Sequence, residues 1–323
     1  MSRGARPRIV LVGAGRFGIC HLRTLQRLQD EGRLELLRVI TKRRASARRI
    51  AREYRVRTDI QLSPALLKEA DGVVIATPSH THVEIGTHCL AYTNVLVEKP
   101  MTLTVQEADK LLQIARRHKH ILMVGHVFRF HPVVRRLKGL VRRYADSLCL
   151  IEGTFLNPGS PDVRAGALAT FLHHFDILDF LLERAPSSVQ ATTSHLLRKD
   201  AALEDAAYVS LRFPPHICAW IEVGWIGVRK TRDVTLTFLH RSVHADLLTG
   251  EITIERPGYK LRTVQVDVGE PLRRELECFA RILQGVRCAY PDGAVGRRIT
   301  ALCVAAQRSA GITARPSFKG ARA

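Results

Sequence analysis

The sequence has no C-x-x-C pair, no low-complexity tract and no internal repeat. None of its apolar runs approaches the roughly 18 residues needed to cross a bilayer. Its seven cysteines (Cys20, Cys89, Cys149, Cys218, Cys278, Cys288, Cys303) are scattered, mostly in apolar surroundings. That pattern fits thiols in a reducing compartment and argues against a disulfide framework or a zinc site. No histidine group has metal-ligand spacing, so no metal is expected. No Ser–His–Asp set lies in a nucleophile elbow. There is also no recognition helix, zinc finger or aromatic-interleaved basic stretch, although 50 Lys and Arg against 30 Asp and Glu give a net charge of +20. The cations are spread along the whole chain, which describes a decorated surface rather than a specific nucleic-acid site. The opening "MSRGARPRIVLVGAGRFG" imitates a signal peptide only loosely. Its apolar run is short and broken by glycines and Arg16, so it reads as a strand. The expected protein is soluble and cytoplasmic, with no membrane partner.

What is present is a core-forming composition, 46% hydrophobic over 323 residues, enough for two domains. Up to about residue 125, apolar strands alternate with helical patterns. The strands are RIVLVG (8–13), LELLRVI (34–40), GVVIAT (72–77), NVLVEKP (94–100) and HILMVG (120–125). Helices are expected at 17–30, 45–54, 80–92 and 104–118. Continuous apolar strands separated by helices predict a parallel sheet covered on both faces. After about residue 146 the pattern becomes strands with turn residues between them: LCLIEGTF, SSVQATTSHLL, AAYVSLRF, ICAWIEVGW, DVTLTFLH and SVHADLL. A helix near 166–183 precedes most of these, and two more close the chain at about 271–285 and 293–310. The predicted fold is α/β. Residues 1–125 form an N-terminal Rossmann parallel sheet, and 126–323 form a C-terminal α+β domain on a large, mainly antiparallel sheet. The closing helices are free to pack back on the first domain.

"VGAGRFG" places Gly13, Gly15 and Gly18 directly after the first strand and at the start of a helix. Gly13 permits the tight turn, Gly15 lets the backbone approach a pyrophosphate, and Gly18 lets helix and strand pack closely. The helix N-terminus offers free N–H donors to an anion. Arg16 and Phe17 lie within the same turn and join the cofactor-binding candidates. A NAD site of this type commonly has an acid at the end of the second strand. Here that strand ends in Thr41, followed by Lys42, Arg43 and Arg44. A hydroxyl and cationic side chains suit a 2′-phosphate, which favours NADP, with NAD as the alternative.

The stretch "VVIATPSHTHVEIGTHCLAYTNVLVEKPMTLTVQEADKLLQIA" (73–115) resembles the glucose–fructose oxidoreductase / inositol dehydrogenase family, Gfo/Idh/MocA. The A-T-P-x-x-x-H segment (Ala76, Thr77, Pro78, His82) and E-K-P (Glu98–Pro100) carry that resemblance most specifically. "VGHVFRFHP" (124–132), "WIGVRKTR" (225–232) and the closing "PLRRELECFARILQG" extend it over nearly the whole chain. The resemblance implies that Thr77, Pro78, Glu98 and Lys99 border the nicotinamide end of the cofactor, with Lys99 the main catalytic group. It implies a second motif, D-x-x-x-H-x-x-D on a helix. In this chain the matching stretch is "ATFLHHFD", with His173 as the general acid/base, Asp176 as the following acid and Ala169 in place of the first Asp. His174 offers a competing register. Arg129 and Lys230 are the candidate substrate-binding cations. The implied activity is NAD(P)-dependent hydride exchange with a carbonyl or secondary alcohol of a sugar or sugar derivative, including a nucleotide-linked one, in a homo-oligomer (dimer or tetramer). Ala169 keeps open a catalytically weak NADP-binding regulator of the same fold. A reductase of a biliverdin-type substrate is a further alternative, against which Lys99 speaks.

Overall fold

The apolar runs at the start of the chain form the centre of a six-stranded sheet. In the computed structural model, which describes residues 6–159, 165–197 and 203–312, contacts divide the chain into two units. Unit 1 runs through Val127 and includes Glu270–Thr300; unit 2 comprises Phe128–Gly269 and the residues from Ala301 onward.

In unit 1 the elements are β1 (Arg8–Val12), α1 (Arg16–Asp30), β2 (Glu35–Ile40), α2 (Arg44–Tyr54), β3 (Thr58–Asp59), α3 (Pro64–Glu69), β4 (Gly72–Ile75), α4 (His82–Leu90), β5 (Asn94–Glu98), α5 (Val105–His118) and β6 (Leu122–Gly125). The strand order is β3-β2-β1-β4-β5-β6, with every pair parallel. Ile9, Val10, Leu11, Val73, Val74, Ile75, Val95, Leu96 and Val97 are wholly buried, as strands covered on both faces must be. Helix α5 starts with a reciprocal cap. The Thr104 hydroxyl accepts from the Glu107 amide and the Glu107 carboxylate accepts from the Thr104 amide, which satisfies two orphan donors at once.

Unit 2 holds α6 (Pro132–Arg143), β7 (Leu148–Leu156), α7 (Ala167–Thr170), α8 (His173–Leu182), β8 (Ser188–Ser194), β9 (Ala206–Phe213), β10 (Ile217–Gly224), β11 (Thr231–Phe238), β12 (Arg241–Asp246), β13 (Glu251–Glu255) and β14 (Arg262–Gln265). Its eight-stranded sheet has the order β14-β13-β12-β11-β7-β10-β9-β8. Every pair is antiparallel except β7 with β10, which run parallel. One face buries Ile151, Phe155, Val209, Leu211, Ile221, Val234 and Leu236, while Trp220 is 61% exposed on the other. Helices α9 (Pro271–Leu283) and α10 (Gly293–Ser309) close the chain. Helix α9 lies in unit 1, where Phe279 and Leu283 leave no room for a side chain at Gly72.

The expected helix over 166–183 is broken. Helix α7 ends at Thr170 and α8 starts at His173, with Phe171 (φ −107°, ψ 29°) outside helical geometry. The Phe171 ring packs against Trp225 at 4.9 Å and Phe155 at 5.5 Å, and these contacts hold it where a continuous helix would not. Helices α3 and α6 and strands β3, β13 and β14 were not expected. The α6 pattern is amphipathic, with Val133, Val134, Leu137 and Val141 buried between four arginines and Lys138.

His174 is a core residue. It is 2% exposed, and a Cβ on Gly153 would lie 2.7 Å from its ring. Burial pushes its imidazole pKa down to about 4, against a smaller opposing hydrogen bond with the Thr154 backbone. Between its unfolded value near 6.5 and about 4 the unfolded chain binds the extra proton, so stability is full above pH 6.5 and falls as the pH drops. His174→Phe should remove this component. Urea unfolding from pH 7 to pH 4 is expected to show wild type losing up to about 3 kcal/mol more than the variant. Parallel pH profiles would refute the assignment.

Candidate functional site

The register of the parallel sheet aligns the strand ends. Val12 pairs with Ile40 and with Ile75, Ile75 with Val97, and Val97 with Val124. The residues that follow are Thr41, Gly13, Ala76, Glu98 and Gly125. They form one row along the C-terminal edge, spanning the point between β1 and β4 where the strand order reverses. That edge is where open α/β sheets bind ligands.

At Gly13, φ is +102° and a Cβ would lie 2.5 Å from the Ala76 carbonyl oxygen. At Gly18 a Cβ would lie 2.4 Å from the Gly13 oxygen, whereas at Gly15 nothing stands within 4 Å. Two of the three glycines are therefore required by the protein's own backbone. The third faces open space, as a position approached by a ligand would. The α1 N-terminus has no side-chain cap and no acid in its first turn. Arg16 and Phe17 are exposed there, and the Phe17 ring meets His21 edge-on at 5.1 Å.

Glu98 is buried, and its Oε1 accepts from His21 Nε2 at 2.7 Å while Oε2 accepts from the Lys99 amide at 3.1 Å. A side chain at Gly125 would collide with this carboxylate. Glu98 thus ties α1, the helix behind the glycine turn, to the end of β5. His21 was not anticipated as a site residue. Its signal was a histidine three residues after Gly18 on an otherwise apolar helix face. Lys99 follows, half-buried.

His82 fastens the next pair of segments. Its Nε2 lies 2.9 Å from the Thr77 carbonyl and its Nδ1 2.8 Å from that of Pro100. Burial holds its pKa below the ordinary value despite those carbonyls. The Thr77 and Thr81 hydroxyls are 2.7 Å apart, and Thr81 donates to the Pro78 carbonyl. The A-T-P and E-K-P segments are therefore pinned to each other.

At the end of β2, Thr41 is buried and its hydroxyl donates to the Arg43 carbonyl at 3.2 Å. Lys42, Arg43 and Arg44 are exposed. Asp59, whose carbonyl accepts from the Thr41 amide, turns its carboxylate to the Ile60 and Gln61 amides. Those bonds hold its pKa below the usual value.

In unit 2, His173 is half-buried at the first position of α8. Its ring stacks on Phe155 at 5.1 Å and meets Phe128 at 4.9 Å. The Arg232 guanidinium lies 4.5 Å over the same Phe155 ring, and burial holds its pKa below the ordinary value. Arg232 belongs to the "WIGVRKTR" stretch. Lys230 is exposed just before β11. Arg129 is committed elsewhere. Its Nε donates to Asp176 and its Nη2 to Asp179, both at 2.6 Å. Burial opposes its charge, but the two carboxylates hold its pKa above the ordinary value. Ala169, at the position of the absent acid, is buried in α7. Among the described residues no group of three or more His, Cys, Asp or Glu could hold a metal, and no helix is long and apolar enough to cross a membrane.

A glycine turn, pinned strand-end loops and a second domain on a large mixed sheet define a dinucleotide-binding oxidoreductase architecture. Residues 7–126 match the profile of the oxidoreductase family with NAD-binding Rossmann fold, and residues 152–239 match the GFO/IDH/MocA C-terminal domain. The chain belongs to the Gfo/Idh/MocA family. It is 25% identical over 310 residues to UDP-N-acetylglucosamine 3-dehydrogenase of Acidithiobacillus ferrooxidans, covering 90% of this chain and 93% of that protein. It is 29% identical over 325 residues to inositol 2-dehydrogenase of Rhizobium meliloti, covering 94% and 96%. Among solved structures, levoglucosan dehydrogenase in complex with NADH shares the fold with a TM-score of 0.84 at 18% identity, over 95% of this chain and 97% of that one.

The glycines separate fold from ligand space. Gly18→Ala should lose about 1–3 kcal/mol through overpacking. Gly15→Ala should lose no more than about 1 kcal/mol, the cost of a poorer helix cap. Thermal melts of the two variants check this, and equal losses would contradict it.

Proposed function

We propose that the protein is an NADP-preferring oxidoreductase that interconverts a secondary alcohol and a carbonyl on a sugar or sugar derivative. The observation that carries this reading is the row of strand ends bearing the glycine turn, the A-T-P segment and the E-K-P segment side by side. The nicotinamide cofactor, when bound, gives or takes hydride. Gly13, Gly15 and Gly18, with Arg16 and Phe17, would hold its pyrophosphate. Ala76, Thr77, Pro78, His82, Glu98 and Lys99 would border its nicotinamide end. Thr41, Lys42 and Arg43 would meet the ribose 2′-phosphate. The absence of an acid at the end of β2, and the Asp59 carboxylate's commitment to its own turn, support that choice over NAD.

Lys99 would hydrogen-bond the substrate oxygen, stabilise its alkoxide charge and share a proton with it. Glu98 would act by position, since its carboxylate is taken up by His21 and the Lys99 amide. His173, half-buried against Phe155 and Phe128, suits an assisting acid/base far better than His174, which burial keeps neutral. The substrate class rests on the relatives named as dehydrogenases of inositol and of a nucleotide sugar. Of the cations, Arg232, which packs on the same Phe155 ring as His173, is a better candidate for an anionic group than Arg129, whose charge two aspartates neutralise. Lys230 is a second candidate. The exposed Trp220 and Tyr208 on one sheet face support a homo-oligomer, and seven cysteines with no disulfide among them support a cytoplasmic setting. Ala169 favours one second reading, a weakly catalytic NADP-binding regulator. Turnover by the parent that Ala169→Asp does not raise would favour the enzyme.

Two measurements test the proposal. Fluorescence titration should show NADPH binding more tightly than NADH, and Lys42→Ala with Arg43→Ala should weaken NADPH by about tenfold or more while leaving NADH unchanged. Tighter binding of NADH to the parent would overturn the cofactor assignment. In a turnover screen with sugars and nucleotide sugars, Lys99→Ala should lower kcat by about 10²–10⁴; an equally active variant would sink the catalytic assignment.

A further inference from the structure

Helix α9 ends in a chain reversal. Gly285 takes φ +78°, its amide donates to the Ile282 carbonyl, and the Val286 amide donates to that of Arg281. This left-handed closure folds the following segment back along the helix it has just left. Cys288 is thereby carried onto Cys278, one turn from the helix end, with the two Sγ atoms 3.5 Å apart. The Cys288 thiol also points to the Cys278 carbonyl at 3.8 Å and to the Val286 carbonyl at 3.7 Å, so it is held close to its partner. A disulfide needs about 2.05 Å between the sulfurs. The bond requires the two sulfurs to approach by the remaining distance.

The two thiols are also accessible. Both residues are partly exposed, and exposed Arg281 and Arg287 flank them in sequence. A shallow cavity of about 500 Å³ opens at Cys288, lined in part by Ile282, Val286, Arg287 and Tyr290. It has room for a small incoming molecule, and Arg287 suits one that carries carboxylates. The contrast within the chain is sharp. Cys89 and Cys303 are buried, and burial pushes both thiols up to about 12, which leaves them inert at neutral pH.

We propose that Cys278 and Cys288 form a reversible dithiol–disulfide site, oxidised by low-molecular-weight disulfides that carry carboxylates. The Cys288 thiolate attacks one sulfur of the small disulfide, forming a mixed disulfide and releasing one small thiolate. The Cys278 thiolate then attacks Cys288 Sγ, closing the protein disulfide and releasing the second small thiolate. Two protein thiols are oxidised, one small disulfide is reduced to two thiols, and the two protons pass to the leaving thiolates. The bond would fix the end of α9 to the segment that continues to Pro291, whose carbonyl accepts from the Val124 amide at 2.8 Å, and to Asp292, which bridges to Met123. The staple therefore runs from α9 to the edge strand β6.

The full-length folded protein, incubated with glutathione disulfide, alkylated with a maleimide and digested with trypsin, tests this. The expected product is peptide ELECFAR joined to CAYPDGAVGR, with the mass of the two peptides less two hydrogens. Two of the seven thiols should disappear and return with dithiothreitol. Cys278→Ser should instead retain one glutathione on Cys288, and Cys288→Ser should give no cross-link. Retention of all seven thiols, a stable glutathione adduct on the parent protein, or a cross-link that appears only in denaturant would each overturn the proposal. The parent measurement stands without the variants, so a variant that folds poorly does not remove the test.

Discussion

The geometry of the first unit depends on a backbone contact with no room for a methyl group. The Gly13 carbonyl lies against Gly18, and Gly13 itself lies against the Ala76 carbonyl. Three stretches of main chain, from β1, α1 and β4, meet at that point. Helix α1 can then reach His21 across to Glu98, and Glu98 can sit in the space that Gly125 leaves. A contact made by absent side chains thus sets where a buried carboxylate falls 80 residues further on. Neither interaction requires a ligand. The dinucleotide turn is built by the protein for its own packing, and only Gly15 is left facing outward.

The second unit solves a different problem, the burial of several polar groups on one helix. Helix α8 buries His174, Asp176 and Asp179. The aspartates share Arg129, and such a network is costly to break because removing one partner leaves uncompensated buried charge. His174 is neutral against Gly153. With these groups fixed, His173 is the one member of the helix's first turn that stays half-exposed. The neighbouring histidines have opposite fates because adjacent helical positions point about 100° apart, and the aromatic contacts of Phe171 set the direction of the whole turn.

Much of this was legible in the residues. Strands buried on both faces leave long apolar runs, so β1, β2, β4, β5 and β6 could be placed to within a few residues, and the glycines announced the turn. The strand-rich second half was equally plain. What escaped notice depended on tertiary contact. The break at Phe171 comes from its packing on Trp225 and Phe155, residues distant in sequence. Helix α6 was hidden by its cations, which match its aliphatic residues in number although those keep helical spacing. Strand β3 is only two residues long. The His21–Glu98 pair joins residues 77 apart, and Arg232 meets Phe155 across the sheet, so neither has a local signature. Arg129 read as a substrate cation because no local feature shows that Asp176 and Asp179 are both within its reach.

The alignment of strand ends implies where this chain tolerates insertions and deletions. One residue added inside β1, β4 or β5 would advance that strand's end by about 3.3 Å and turn its side chains to the other face. Gly13, Ala76 or Glu98 would then fall out of line with its neighbours. A residue added at the opposite edge of the sheet, in the turns that lead into these strands, leaves the row intact. Length variation among relatives of this protein should therefore gather at one rim of the sheet and avoid the other.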